Sequence, residues 1–536
     1  MPLSSPDLNR AAKWADYAFL CALLGMVVVL WLGRSDNAPV HDAIQAIGAA
    51  RSLLAGEGYS SPIVYYELQY RLGPDVPVPQ TVFPPGTAAL VALLAQVGIP
   101  AASAPFVIAS AGLLASAAVM RQILLAAGAP SALAALVAVA WLVHPRMGEL
   151  VRGGAVEPLF IALLLAALWG VQRGLSSRPV WGALLAAGLA CAGAVVVRYI
   201  GVVPVAALGV TGFLLLRRVG WKPAFAAAVC VGGPAALVAM GLFLRNLALT
   251  GRLSGGQFDP ARVTDIDAAL ALLVDAARLS AAMPDWPGLS LAVMVAGGVA
   301  GVAAVLWAWR GAERIPPDTQ AVLWSCVALV ASQALFFAWS TARVAPWFAS
   351  WRYLLPVVPF VWIILVLLLV SWQGGSRMQR LAVWSSPVLL CAAVFITVRA
   401  LAAPTPMAQA RQEIEQALAA PCGSVTLADH LRALPPHQPV LSTEEHLLHL
   451  TTARPVIGLT SSVYTARRFT PEGVRALMER FGARDVVVFS ATMARRKAEF
   501  AEQPFQSALA AREWPHGFEP VCEGPLASVL RLSPSP

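Results

Sequence analysis

Residues 35–86 read SDNAPVHDAIQAIGAARSLLAGEGYSSPIVYYELQYRLGPDVPVPQTVFPPG and form the first long polar interval of the chain. Apolar runs lie on both sides of it, so both of its ends are held close to a membrane. Near its start, Asp42 opens a short amphipathic helix that we predict over residues 42–55. Small and apolar side chains share one face of this helix: Ala43, Ile47, Ala50 and Leu54. The more polar face carries His41, Gln45, Gly48 and Ser52.

The composition is that of a membrane protein. Of 536 residues, 58% are hydrophobic and 12% are charged, whereas soluble domains carry about 25% charged residues. Apolar runs at 19–32, 183–197, 202–216, 224–244, 289–309 and 354–371 are long enough, or nearly so, to cross about 30 Å of hydrocarbon as helices. The predicted fold class is a polytopic α-helical membrane protein with about 11 spans, twelve or thirteen being alternatives. The net charge of +9 sits in short loops beside the spans and does not indicate nucleic acid.

Basic residues give the orientation of the spans. Arg10 and Lys13 precede the first apolar run and predict an uncleaved signal anchor with its N-terminus inside. Further basic clusters fall near residues 173–178, 217–222, 310–314 and 377–380, in every second loop. Residues 35–85, 198–201, 245–287, 341–352 and everything after about 401 are then expected outside. An amphipathic segment at 265–279 is expected on the outer surface, either over a cavity or as a simple connector.

One interval does not fit this alternation. Pro85 and Glu157 are both assigned outside, yet three apolar stretches lie between them, at 87–99, 106–127 and 132–143. An even number must cross, and the first and third are short. One of those two is therefore expected to be a partial or re-entrant helix.

From Pro404 the sequence becomes polar, and strands alternate with helices. Strand patterns lie at 439–442, 455–459, 485–490 and 527–532, and helical patterns at 411–419, 443–451 and 471–481. We therefore divide the chain into a transmembrane domain, residues 1–403, containing the external loop 35–86, and a small extracytoplasmic α/β domain, residues 404–536. No glycine-rich phosphate loop follows a strand, so this domain is expected to serve in docking or as a lid. If it lies outside, Cys422 and Cys522 can form a disulfide.

Charged residues at the outer ends of spans are the candidates for chemistry. Asp42 is either a functional acid or a helix N-cap, and Glu157, directly before a span, is either functional or structural. Arg198, Arg245 and Arg352 run against the positive-inside bias, which indicates an anionic partner, either a phosphate or lipid head groups. Tyrosines in the loop, Tyr59 among them, suit membrane anchors or sugar platforms.

Ordered motifs resemble the C-type glycosyltransferase superfamily, specifically bacterial relatives of the protein O-mannosyltransferases and the aminoarabinose lipid A transferase. In family order they are Asp42 with the run ARSLLAGEGY (50–59), PPG (84–86), EPLF (157–160), RYIG (198–201), RNLALTG (245–251), RYLLP (352–356) and VLSTEEHLLHLTTARPV (440–456). The resemblance covers roughly residues 15–460. Many relatives have a glutamate after the first acid, where Ala43 stands here, so a metal is not expected.

The resemblance implies an inverting glycosyltransferase in the bacterial inner membrane. It would move a sugar from a polyprenyl-phosphate donor to an acceptor hydroxyl on a glycan, lipid or protein, with no cofactor. Asp42 is then the base, Arg198, Arg245 and Arg352 are phosphate ligands, and Glu157 orients a substrate. His41 is a lower-ranked base or ligand.

Two other classes stay open. A transporter or flippase predicts charged residues in the middle of spans and broken helices at matching positions of two halves. A polymerase or ligase of envelope polysaccharides would share the outer arginines but relies on a different long external loop.

Overall fold

Apolar helices make up most of the described residues before residue 374, and a mixed sheet with short helices follows from residue 405. The computed structural model describes residues 5–32, 38–175, 179–217, 219–253, 271, 274–275, 277–278, 316–343, 351–373, 405–459, 469–496, 503–511 and 513–533. The expected span at 289–309 and most of the segment 265–279 lie outside the described residues.

Helices before residue 374 are α1 (Ser5–Leu32), α2 (His41–Leu54), α3 (Glu67–Arg71), α4 (Gly86–Gln96), α5 (Ala104–Ala126), α6 (Ser131–Leu142), α7 (Pro145–Arg152), α8 (Glu157–Gly174), α9 (Trp181–Val197), α10 (Val202–Leu216), α11 (Trp221–Thr250), α12 (Pro317–Arg343), α13 (Trp351–Leu354) and α14 (Val358–Gln373). Three short strands lie in the first loop: β1 (Ser60–Ser61), β2 (Ile63–Val64) and β3 (Val78–Pro79). The C-terminal helices are α15 (Pro406–Ala419), α16 (Leu427–Ala433), α17 (Glu445–Thr452), α18 (Pro471–Phe481), α19 (Ser490–Arg495) and α20 (Pro504–Ala510). The C-terminal strands are β4 (Pro421–Cys422), β5 (Val425–Thr426), β6 (Val440–Ser442), β7 (Val456–Gly458), β8 (Asp485–Phe489), β9 (Phe518–Glu523) and β10 (Ala527–Leu532).

Six stretches of the described helices are long and apolar enough to cross a membrane: Lys13–Leu30, Ala104–Ala126, Tyr199–Leu216, Trp221–Thr250, Thr319–Ser340 and Trp351–Ser371. Helices α6 and α7 meet at a bend of 47° and make a seventh span if they are counted together. The chain is therefore a helix-rich, multi-pass membrane protein, while the expected total of about 11 spans stays a prediction.

The interval with three apolar stretches contains one full-length helix. Helix α5 has 23 residues, which suffices to cross the hydrocarbon core. Helix α4 has 11 residues and rises about 16 Å, about half of that core. The third stretch forms α6, which bends into α7. Helices α5 and α8 pack closely through Gly112, where a Cβ atom would collide with the backbone of Leu159, as small residues allow in membrane helix pairs.

A six-stranded mixed sheet forms the core of the C-terminal part, in the order β2-β7-β6-β8-β10-β9. Strands β2, β7, β6 and β8 are parallel neighbours, and β10 is antiparallel to both β8 and β9. The edge strand β2 comes from the first loop and pairs Ile63 with Val456. The sheet therefore contains a strand from residues 35–86 in addition to strands from residues 404–536.

Helix α2 is buried on both of the faces that the sequence distinguishes. Ile44 and Ile47 belong to one apolar core with Leu447 and Leu448 of α17. The polar face is also buried, with Gln45 1% exposed, because the C-terminal part covers it and supplies hydrogen-bond partners. Leu54, expected on the apolar face, is 44% exposed. The helix that carries Asp42 is thus part of the packing of the C-terminal sheet.

Candidate active site

Two carboxylates and two guanidinium groups meet where α2, α8, α9 and α13 begin or end. A terminal guanidinium nitrogen of Arg352 lies 2.9 Å from Oδ2 of Asp42 and 2.8 Å from Oε1 of Glu157. Nε of Arg352 also donates to Oε1 of Glu157, at 2.9 Å. Arg198 contacts that same oxygen at 2.5 Å. We call these four residues the charge cluster.

Each member of the charge cluster is positioned by a break in an apolar segment. Asp42 lies in the first turn of α2, and Glu157 begins α8 directly before a proline. Arg198 has an extended backbone at the point where α9 ends. Arg352 lies in the short helix α13, and the ring of Tyr353 next to it packs against Arg198, with the guanidinium carbon 5.1 Å from the ring centre.

The charge cluster is electrically balanced, with two positive and two negative groups. Burial alone raises the pKa of the Asp42 carboxyl, but the positive charges of Arg352 and Arg198 outweigh burial and hold that pKa below its ordinary value. Asp42 is therefore ionised at neutral pH. The anionic partners that the sequence analysis inferred for Arg198 and Arg352 include these two carboxylates, which neutralise both arginines without any ligand.

Arg245 and Tyr59 form a second group beside the charge cluster. The Arg245 guanidinium donates to the backbone carbonyls of Gln80, at 2.8 Å, and Tyr59, at 3.2 Å, and lies over the Tyr59 ring. Both residues line a cavity of about 440 Å³, together with Glu57, Ser60, Pro77, Pro79, Ala248 and Leu249. Asn246, the residue after Arg245, donates to the Tyr199 hydroxyl at 3.1 Å. Tyr199 directly follows Arg198, so this hydrogen bond connects the second group to the charge cluster.

His41 faces the C-terminal part of the chain. Its ring stacks on His446 of α17, with ring centres 4.5 Å apart and planes 16° from parallel. Burial and the neighbouring His446 lower the pKa of His41 to about 3. The imidazole is therefore neutral at neutral pH and holds a proton weakly.

Several residues at the site were not singled out from the sequence. They are Tyr353, which packs on Arg198, and Gln45, Glu445 and His446, which link α2 to α17. The sequence signal for the last two was the segment EEHLLH (444–449), an unusual density of charged and polar groups beside a buried strand. Tyr65 and Tyr70 are among the loop tyrosines for which membrane anchors and sugar platforms were the alternatives, and both are buried, at 2% and 0% exposure.

A disulfide joins Cys422 and Cys522, whose Cα atoms are 5.1 Å apart. It connects the short β4–β5 hairpin to the edge strand β9. In the part of the chain that the structure describes, no three His, Cys, Asp or Glu side chains are grouped as a metal site.

The fold occurs among solved structures, whereas the sequence finds no match to a protein-family model or to a curated protein. ArnT from Cupriavidus metallidurans bound to undecaprenyl phosphate has a TM-score of 0.58 at 14% identity, over 96% of this chain and 99% of that chain. The apo state of ArnT gives 0.59 at 13% identity, over 97% and 100%. The oligosaccharyltransferase AglB from Archaeoglobus fulgidus, in complex with an inhibitory peptide and a dolichol-phosphate, gives 0.53 at 12% identity, over 92% and 71%. The chain therefore has the fold of the C-type glycosyltransferases, the superfamily that its motifs resemble.

Proposed function

We propose that this chain is an inverting glycosyltransferase that moves a sugar from a polyprenyl-phosphate donor to an acceptor hydroxyl on the extracytoplasmic face of a bacterial inner membrane. The observation that carries the proposal is the contact between Asp42 and Arg352, at 2.9 Å, within the charge cluster. A base and the guanidinium group that fixes it lie side by side there, at the start of the span Trp351–Ser371. The fold shared with ArnT and AglB, solved with undecaprenyl phosphate and a dolichol-phosphate, supports a lipid-phosphate donor.

Asp42 would act as the general base. As the acceptor oxygen attacks the anomeric carbon, the bond from that carbon to the phosphate oxygen breaks, and the hydroxyl proton passes to Asp42. Oδ2 of Asp42 is held by Arg352, and the side chain is 28% exposed, so the carboxylate has a side open to an acceptor. Arg352 supplies positive charge beside Asp42, and we expect the reaction to need no metal ion.

The departing polyprenyl phosphate gains negative charge, which preorganised guanidinium groups stabilise. Of the three candidate arginines, Arg198 and Arg352 have ion pairs with carboxylates, whereas the described hydrogen bonds of Arg245 go to backbone carbonyls. The place of Arg245 on the wall of a cavity suits a phosphate ligand. Glu157 would hold Arg198 and Arg352 in position.

The orientation rests on two supports. Apart from the interval between Pro85 and Glu157, basic loops alternate along the sequence as the positive-inside rule predicts, which supports a C-terminal part outside the cytoplasm. A disulfide suits an oxidising compartment. The transporter alternative predicted charges in the middle of spans. In the described spans, charged side chains lie near the ends, as Arg352 and Arg245 do.

The test compares Asp42→Asn with Asp75→Asn, a matched substitution at an exposed acid of the same loop. A deletion strain is complemented with each variant, and lipid extracts are searched by mass spectrometry for the glycoconjugate that the deletion removes. We expect Asp75→Asn to restore it and Asp42→Asn to leave it absent at equal protein levels. Full restoration by Asp42→Asn would exclude Asp42 as the base.

A further inference from the structure

A second buried polar group, on α17, contacts the face of α2 next to Asp42. His446 is fully buried, and its ring stacks on His41 and meets the ring of Tyr65 edge-on at 4.6 Å. Its Nδ1 lies 3.0 Å from Oε1 of Glu445, and its Nε2 lies 3.2 Å from Nε2 of Gln45. The contact between His446 and Gln45 joins residues 401 positions apart in the sequence.

The hydrogen bonds define one consistent arrangement of protons. A carboxylate accepts, so Nδ1 of His446 carries the hydrogen and donates to Glu445, and Nε2 is then the acceptor for the Gln45 amide. The Gln45 carbonyl oxygen in turn accepts from the Ser61 hydroxyl at 2.8 Å and from the Gln80 amide at 3.2 Å. His446 is therefore a link in a chain of hydrogen bonds that runs from Glu445 into the first loop.

This chain of contacts fixes the rotation of α2. His41 and Gln45 are four residues apart and share one face of the helix, and α17 holds that face at both positions. One turn further on, Gly48 allows close approach, since a Cβ atom there would lie 3.0 Å from Pro62 and 3.3 Å from His449. Asp42 follows His41 by one residue, about 100° around the axis, and points to Arg352.

Small rotations of α2 would separate Asp42 from Arg352. A carboxylate about 5 Å from the helix axis moves about 1.7 Å when the helix turns by about 20°. That displacement exceeds what a hydrogen bond of 2.9 Å tolerates. A misplacement of about 1 Å at a reacting group can lower a rate by about 100-fold.

We propose that His446, oriented by Glu445, is a positioning residue that holds the first turn of α2 so that the Asp42 carboxylate meets Arg352 and the acceptor. This inference rests on the proposed function. It assigns to the C-terminal part a role in the transfer step itself, where the sequence analysis expected docking or a lid.

The test uses variants that separate position from fold. His446→Phe keeps a flat ring to stack on His41 but removes both nitrogen atoms. Glu445→Gln keeps an oxygen that accepts from His446, whereas Glu445→Ala does not. Arg531→Met is the control, because it breaks the ion pair with Asp485, at 2.8 Å, between two strands of the C-terminal sheet, β10 and β8.

Two quantities are measured for the full-length protein. One is the rate at which each variant restores the missing glycoconjugate in the deletion strain, per amount of membrane protein. The other is the affinity of the purified protein for undecaprenyl phosphate. We expect His446→Phe and Glu445→Ala to lower the transfer rate by about 10- to 100-fold and to keep the affinity within about twofold. Glu445→Gln and Arg531→Met should both transfer at close to the wild-type rate.

Each other outcome overturns a defined statement. If His446→Phe transfers at the wild-type rate while Asp42→Asn is inactive, the positioning role is wrong and the proposed function stands. If His446→Phe loses affinity as much as rate, or Arg531→Met shows the same loss of rate, His446 supports the fold in general and the inference is wrong. If Asp42→Asn also transfers normally, the proposed function fails, and this inference fails with it.

Discussion

Replacing Arg352 by methionine should destabilise the protein far more than removing an exposed arginine. Arg352 contacts both Asp42 and Glu157. Glu157 is fully buried, so it keeps no water to replace the lost partner. Methionine fills much of the same volume, so the change removes mainly the positive charge and its hydrogen bonds.

The size of the destabilisation depends on which contacts of Glu157 and Asp42 remain after the substitution. Removing one partner of a buried ion pair costs about 3–5 kcal/mol, because a charge is left buried without compensation. Glu157 still contacts Arg198 at 2.5 Å, and Asp42 is 28% exposed. The loss should therefore lie near the lower end, at about 3 kcal/mol, or roughly 150-fold in the unfolding equilibrium constant.

The assay is equilibrium unfolding of the purified protein in mixed micelles titrated with SDS. Arg411→Met is the matched control, because Arg411 pairs with Glu415 at 2.7 Å but the two side chains are 42% and 47% exposed. Such a surface pair contributes about 0–1 kcal/mol. Arg352→Met leaves one positive and two negative groups in the charge cluster. Combining it with Glu157→Gln should recover part of the loss, since one group of each sign then remains. Equal effects of Arg352→Met and Arg411→Met would refute the reasoning.

Two further predictions concern the C-terminal part. The disulfide closes a loop of 100 residues, so Cys422→Ser should lower the free energy of unfolding by about 2–5 kcal/mol. A free energy of unfolding that is unchanged by this substitution and by a reductant would contradict this prediction. Burial and the charge of Glu445 raise the pKa of Glu444 from 4.5 to about 7. The folded state therefore binds this proton more tightly, and the stability that Glu444 contributes is present below about pH 4.5 and lost as the pH rises through about 7. The measurement is the difference in unfolding temperature between wild type and Glu444→Gln across that pH window. This comparison isolates the Glu444 carboxyl from His41, whose lowered pKa acts in the opposite direction. A difference that does not change with pH would count against the prediction.

Helices and strands could be predicted from the sequence where neighbouring residues determine where they begin and end. The helix predicted at 471–481 begins and ends where the pattern placed it, because Thr470 caps its first turn and Gly482 ends it in a left-handed conformation. The predicted strand at 527–532 also matches β10. The pairing of β2 with β7 had no such signal. Two residues, Ile63 and Val64, show no alternation, and their partner lies far away in the sequence.

The sequence predicted which residues belong to the site better than it predicted how those residues contact one another. Glu157 was chosen because an acid beside a span is costly to bury, and Asp42 because it is the acid that opens the first helix of the loop. Arg198 and Arg352 were chosen because they run against the positive-inside bias, and the structure brings these four residues together. Their mutual neutralisation could not be predicted, because the contact between Asp42 and Arg352 spans 310 residues. His446 was missed for the same reason: its partner Gln45 is 401 residues away.

Exposure within the charge cluster separates the roles of its members. Glu157 is 0% exposed, Arg198 14%, Arg352 25% and Asp42 28%. The four charges are tolerated because they balance, and the most deeply buried member, Glu157, contacts both arginines through one oxygen. The carboxylate at the exposed end is the one that a hydroxyl can approach. A base needs this combination of a fixed position and an open side, so the gradient supports the proposal that Asp42 accepts the proton while Glu157 holds the arginines.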